Sequence, residues 1–131
     1  MDHPSRVARR SPPDAVALQV ILGSLRGDAR LVGPPGARRL RVTHSVARED
    51  YLRWKYDRLG SLVNGPPQRS GDHCSFETIA HPLFDDLAER RLHLREMLQP
   101  LGFAVWLTDV GRLAIRADQF LPAQRDAVLA A

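Results

Sequence analysis

The stretch Val20-Ile21-Leu22-Gly23-Ser24-Leu25-Arg26-Gly27-Asp28-Ala29-Arg30-Leu31 decides how this chain is read. Leu18, Ile21, Leu22 and Leu25 recur at helical spacing with Gly23 among them, so residues from Ala15 to about Gly27 are expected to form one helix. Asp14 stands where an N-cap belongs. An acid, Asp28, follows the helix directly, and a short basic strand follows the acid. A second stretch repeats this layout: Phe103-Ala104-Val105-Trp106-Leu107-Thr108-Asp109-Val110-Gly111-Arg112-Leu113, opened by Pro100 and stopped at Gly111. Two apolar helices, each ending in an acid and a small or basic turn, make a weak internal repeat.

Between the two, the pattern changes period. Arg39 to Val46 alternates, with Leu40, Val42 and His44 on one side and Arg39, Arg41, Thr43 and Ser45 on the other, as in a strand with one polar face. Glu49 to Leu62 returns to helical spacing through Leu52, Tyr56, Leu59 and Leu62 or Val63, before Asn64-Gly65-Pro66-Pro67 ends it. His73 to Ala80 is expected as a second strand, and Pro82 suits the first turn of a helix running to about Met97. Arg112 to Ala117 alternates again, and Pro122 to Ala130 has the pattern of a short terminal helix. The fold class is therefore α+β with a mostly antiparallel sheet. Residues 1–13 are expected to be a flexible basic arm, because Pro4, Pro12 and Pro13 punctuate a polar segment with no apolar period. Residues 14–131 are expected to form a single domain, with a first repeat over about 14–99 and a shortened second over about 100–131.

The chain has 131 residues, 19 basic against 15 acidic, and a net charge of +4. That length supports one hydrophobic core without staples. Cys74 is the lone cysteine, which excludes an internal disulfide and a cysteine zinc cage. The apolar runs are too short for a membrane span, so the expectation is a cytoplasmic protein with no membrane partner. Lys55 is the only lysine, and a pI near 10.2 carried by arginine points toward an anionic partner. His44, His73, His81 and His93 lack the paired spacing of a zinc site. Ser24, Ser45 and Ser75 have no discernible histidine and acid arrangement for nucleophilic chemistry.

The two helix motifs resemble those of the LAGLIDADG homing endonucleases, in the branch whose first motif reads like ILGSLLGDGSL and whose second reads like AIWFMDDGSL. Between them the likeness continues through Thr43-His44-Ser45, Tyr51-Leu52-Arg53-Trp54-Lys55-Tyr56, Phe76 and His81-Pro82-Leu83-Phe84. It spans residues from about 18 to about 117, in the right order. The resemblance implies two motif helices packed on one another, with antiparallel strands forming a DNA-facing saddle and the second repeat truncated. Gly23 and Ala104 are the small residues expected on the packing face.

The resemblance assigns Asp28 to the catalytic, metal-binding acid. An acid at a helix C-terminus faces the negative end of the macrodipole and costs about 0.3–1 kcal/mol unless a cation sits nearby. Two such ends offer carboxylates and free carbonyls suited to Mg²⁺, which would activate water and stabilise charge on the scissile phosphate. Two departures bear on this. Ala29 stands where the family has glycine, and Val110 stands where the second acid belongs. Asp109 comes one residue early, a rotation of about 100° around the helix. Asp109 and Lys55 remain auxiliary candidates.

For the partner, the expectation is double-stranded DNA, met by Arg30, Arg38, Arg39, Arg41 and Thr43, and by Arg112 and Arg116 in the second repeat. The first expectation for function is a duplex-binding protein of the LAGLIDADG type, a monomer with internal pseudo-symmetry, whose metal-dependent cleavage is weakened or lost. The alternative is an active Mg²⁺-dependent endonuclease assembled as a homodimer, with Asp28 supplied by each chain. A cleavage-silent regulatory or interaction module is the further alternative.

Overall fold

A computed structural model describes residues 13–90 and 93–111. The basic arm up to residue 12, the expected strand at 112–117 and terminal helix at 122–130, and with them Arg112 and Arg116, lie outside the described residues.

The described elements are helices α1 (Ala15–Arg26), α2 (Glu49–Leu59), α3 (Pro82–Glu89), α4 (Leu94–Met97) and α5 (Pro100–Asp109), with strands β1 (Arg30–Val32), β2 (Arg39–Ser45), β3 (Gln68–Ser70) and β4 (His73–Glu77). The strands form one antiparallel sheet in the order β1-β2-β4-β3. The α+β expectation holds.

Local chemistry explains most of the boundaries. Asp14 Oδ1 accepts from Ala17 N at 2.7 Å, capping α1. Pro82 takes the first turn of α3 while His81 Nδ1 accepts from Leu83 N at 2.9 Å, so the His-Pro pair is a helix start. Gly71, at φ +60°, supplies the positive φ needed by the two-residue turn between β3 and β4.

Two expectations are corrected. The helix expected from Pro82 to about Met97 is two helices, since α3 closes at Glu89 and α4 opens at Leu94. No glycine or proline marks that break, so the spacing of apolar residues ran straight across it. Strand β3 was not anticipated: its three residues are all exposed, leaving no alternation to read, and only its pairing with β4 makes it a strand.

The core lies between the helices and one face of the sheet. Leu40 and Val42 of β2 and Cys74 and Phe76 of β4 pack with Ile21, Leu22, Leu52, Phe84, Leu87 and Val105. The opposite face carries the alternate residues Arg39, Arg41, Thr43 and Ser45 beside His73, Ser75 and Glu77. Tyr56 meets Phe76 edge-on at 5.5 Å. Among the described residues, no helix is long and apolar enough to cross a membrane.

Candidate active site at the helix seam

Helices α1 and α5 form the seam that positions the site. Gly23 is indispensable there: a Cβ on it would lie 2.2 Å from Gly102 O and 2.8 Å from Val105 Cβ. Gly102 is the matching small residue on α5, since a Cβ on it would lie 2.4 Å from Gln19 Oε1. Ala104 is buried on the same helix. Gln19 then fastens the seam, accepting from Gln99 N at 2.7 Å and donating to Met97 O at 3.3 Å, which holds the start of α5 against α1. Sequence alone pointed to Gly23 and passed over Gly102 and Gln19. A buried glutamine inside an apolar run was the available signal, because such a side chain must find partners.

At the other end of the seam the two motif ends come together. Gly27 closes α1, and a Cβ there would lie 2.3 Å from Asp109 Cβ, so the missing side chain is what makes room for Asp109. The Asp109 carboxylate is fully buried and saturated. Its Oδ2 accepts from Asp28 N at 3.0 Å, its Oδ1 accepts from the Tyr51 hydroxyl at 2.6 Å, and Lys55 Nζ lies 2.8 Å and 3.0 Å from its two oxygens. Asp109 thus points into the seam. Val110, which the resemblance aligned with an acid, is 49% exposed.

Lys55 is wholly buried, and burial pushes its pKa down while the Asp109 carboxylate opposes the shift. It points across the ring of Tyr51, 4.7 Å from the centroid. Tyr51 has its own pKa raised by burial and by the charge of Asp109, so it stays a hydroxyl donor. Arg48, in the turn before α2, donates from Nη2 to Thr108 O and from Nη1 to Asp109 O at 3.5 Å. A guanidinium thus sits at the negative end of the α5 dipole, where a cation is favoured. The same Arg48 Nη1 lies 4.0 Å from Asp28 Oδ2.

Asp28 differs from Asp109. Its side chain is 42% exposed, and its pKa is raised by partial burial and by the neighbouring Asp109 charge. His44 Nδ1 lies 3.4 Å from Asp28 Oδ2. His44 is buried on the core side of β2, with its pKa pushed down to about 3 by burial and by Lys55, so the imidazole is neutral. Its Nε2 finds no hydrogen-bond partner among the described residues and lies 3.9 Å from Asp109 Oδ1. His44, Tyr51 and Arg48 were not expected as site residues. The alternation of β2 did put His44 on its apolar side, and a buried histidine on such a face was the signal available.

Asp28, His44 and Asp109 each offer a ligand atom within 4.8 Å of the others. A paired-carboxylate cation site nevertheless does not fit these residues. A hard divalent cation needs oxygens free to turn toward it, whereas the oxygens of Asp109 already accept from Lys55, Tyr51 and the backbone of Asp28. Two carboxylates here face two built-in cations, Lys55 and Arg48, so the cluster is balanced without an added ion. Asp28 alone presents an accessible carboxylate.

The other expected residues are dispersed. Arg39 and Arg41 share the polar sheet face, with Thr43 in the next row and Arg30 paired in register with Arg41. Arg38 precedes β2 and turns toward α3, 3.5 Å from Asp85. Lys55, an auxiliary candidate, is sealed inside the seam against Asp109.

The comparisons with known proteins bear on this arrangement. Protein RecA of Mycolicibacterium flavescens is 33% identical over 117 residues, a match covering 76% of this chain and 26% of that protein. The chain therefore spans about a quarter of the length of that relative. A solved structure titled for mesophilic variants of the homing endonuclease I-DmoI aligns with a TM-score of 0.44 and 10% identity, covering 72% of this chain and 59% of that one. The sequence profile of the LAGLIDADG DNA endonuclease family matches residues 18–124, which take in most of α1, all of α5 and the strands between them. With that match across most of its length, this chain belongs to the LAGLIDADG DNA endonuclease family.

Proposed function

We propose that this protein binds double-stranded DNA through the polar face of its sheet, and that its metal-dependent phosphodiester cleavage is weakened or lost. The observation that carries this reading is the state of the second motif end. Val110 replaces one acid, and Asp109 is neutralised by a buried lysine 2.8 Å away. A divalent cation, where bound, would supply an activated water and charge stabilisation at the phosphate. Asp28 is the residue left to hold one. The chain's own groups do something else: Lys55, Tyr51 and Arg48 tie the two helix ends together and donate to the carboxylate and carbonyl oxygens that a second ligand set would need.

Binding depends on different residues. Arg39, Arg41 and Thr43 of β2, with Arg30 of β1, stand on or beside a face that the core leaves to solvent. Arginines there can hold phosphate or read base edges. A homodimer pairing two copies of the Gly23 helix is disfavoured because α5 covers that glycine face within one chain. Such a dimer would first have to expel Gly102 and Val105 from it.

Fluorescence anisotropy with labelled duplexes across a salt series tests the binding, alongside nicking assays with Mg²⁺ or Mn²⁺. Expected are a log-linear loss of affinity with salt, little or no cleavage, and nearly unchanged binding by Asp28→Asn. Loss of duplex binding in Asp28→Asn, with the fold intact, would defeat the separation of binding from the acid site. Efficient metal-dependent double-strand cleavage would defeat the loss of catalysis.

A further inference from the structure

On the polar sheet face, one carboxylate holds two arginines. Glu77 Oε2 accepts from Arg41 Nε at 3.2 Å and Arg41 Nη2 at 2.8 Å, and Glu77 Oε1 lies 3.3 Å from Arg39 Nε. The register explains the geometry: Glu77 of β4 stands directly opposite Arg41 of β2, and Arg39 is the next residue of β2 on the same face. All three side chains are partly open to solvent, at 40% for Arg39, 41% for Arg41 and 29% for Glu77. Arg30 is in register with Arg41 on the other side, and no carboxylate is paired with it among the described residues. The adjoining row, Thr43, Ser75 and Gln68, is uncharged and rich in donors and acceptors.

We infer that Glu77 is a positioning residue for sequence recognition, fixing Arg39 and Arg41 so that their free N–H edges address guanine in the major groove. This rests on the DNA-binding reading above. Guanine offers N7 and O6 as paired acceptors, and a guanidinium reads them with two N–H groups. A long side chain held in one orientation loses less freedom when it makes that pair. The clamp hydrogen-bonds Arg41 through Nε and Nη2, whereas Arg39 is held by charge alone: its Nε lies 3.3 Å from Glu77 Oε1 without forming a hydrogen bond among the described residues, and its terminal nitrogens are unengaged there. Glu77 also repels phosphate. It therefore penalises any duplex that offers charge without the right base edge, while Arg30 supplies attraction that every duplex satisfies.

The two roles predict opposite signs for one substitution, which separates them from simple damage to the fold. In Glu77→Gln, removing the charge should raise affinity for a guanine-free poly(dA·dT) duplex, by roughly three- to tenfold at moderate salt, and steepen the salt dependence by about one ion. Selection from a randomised duplex pool should at the same time lose guanine enrichment at one or two adjacent positions that the wild type selects. Arg30→Ala is the contrast, lowering affinity for all duplexes alike with guanine enrichment kept. Unchanged guanine enrichment in Glu77→Gln overturns the inference, as does unchanged or reduced affinity for the guanine-free duplex in a variant with wild-type melting. A wild type that binds no duplex at low salt overturns the DNA-binding reading and this inference with it. A wild type that binds DNA but shows no guanine preference overturns only the latter.

Discussion

Asp109 and Glu77 are both carboxylates held by cations, and they teach opposite lessons. Asp109 lies at the buried end of the helix seam with 0% of its side chain exposed, and its partner Lys55 is equally sealed. Glu77 stands on the outer sheet face at 29% exposure, against arginines that are about two-fifths exposed. In water, an ion pair can exchange its partner for a phosphate or a base at little cost. Inside the seam no such exchange is open, and breaking the pair strands an uncompensated charge. The first pair is therefore fixed in the fold and the second is open to the recognition role inferred above, although neither sequence position advertises the difference.

The sharpest way to break this contrast is Lys55→Met. It leaves the buried Asp109 carboxylate without its cation and should cost about 3–5 kcal/mol in urea unfolding. Adding Asp109→Asn should recover part of that loss, because the two residues share one interaction. Strict additivity of the two effects would show that the pair is not coupled. Gly23→Ala comes next. Its Cβ has no room beneath Gly102 O, and the helices must move apart, at a cost of about 1–3 kcal/mol. An unchanged melting temperature would mean that the seam is looser than its distances indicate.

The pH dependence sharpens the buried side of the comparison. The unfolded chain protonates His44 near pH 6.5, whereas burial and Lys55 hold the folded value to about 3. Between those values the unfolded state binds more protons, so stability should fall as pH drops through that window. In His44→Gln the slope of unfolding free energy against pH should flatten between 6 and about 4. Asp28 acts in the other direction, because its raised pKa marks a charge that the fold disfavours. Asp28→Asn should consequently be as stable as the wild type or more so, by up to about 1 kcal/mol at pH 7, since it also removes an acid from a helix C-terminus. The smallest effect belongs to the open pair. Glu77→Gln should change unfolding free energy by less than about 1 kcal/mol, and a larger loss would make its clamp structural.

Much of this was legible without coordinates, and the reasons are specific. Periodicity carried α1, α2 and β2, because each buries an apolar stripe that its spacing displays, while Pro100 and Gly111 bracketed the apolar run of α5. The polar and apolar sides of β2 were readable for the same reason, down to the placing of Arg39, Arg41 and Thr43 together. Where burial leaves no period, the reading ran out. β3 has no buried residue, and the break between α3 and α4 carries no glycine or proline. At the site, the resemblance set Val110 where an acid is expected and Asp109 one residue early, and the Asp109 carboxylate lies buried in the seam. What it would meet there was not visible.

By itself, then, the sequence determined the class of fold, the pair of motif helices and the basic sheet face, since all of these are local or periodic properties of the chain. Only the tertiary structure decided that Lys55, 54 residues away from Asp109, would neutralise it, that Arg48 would occupy the end of α5, and that Glu77 would hold two arginines at once. Charge and hydrogen bonding act through space at distances of a few ångströms. Which charges meet at that range is set by packing, and no spacing along the chain encodes it.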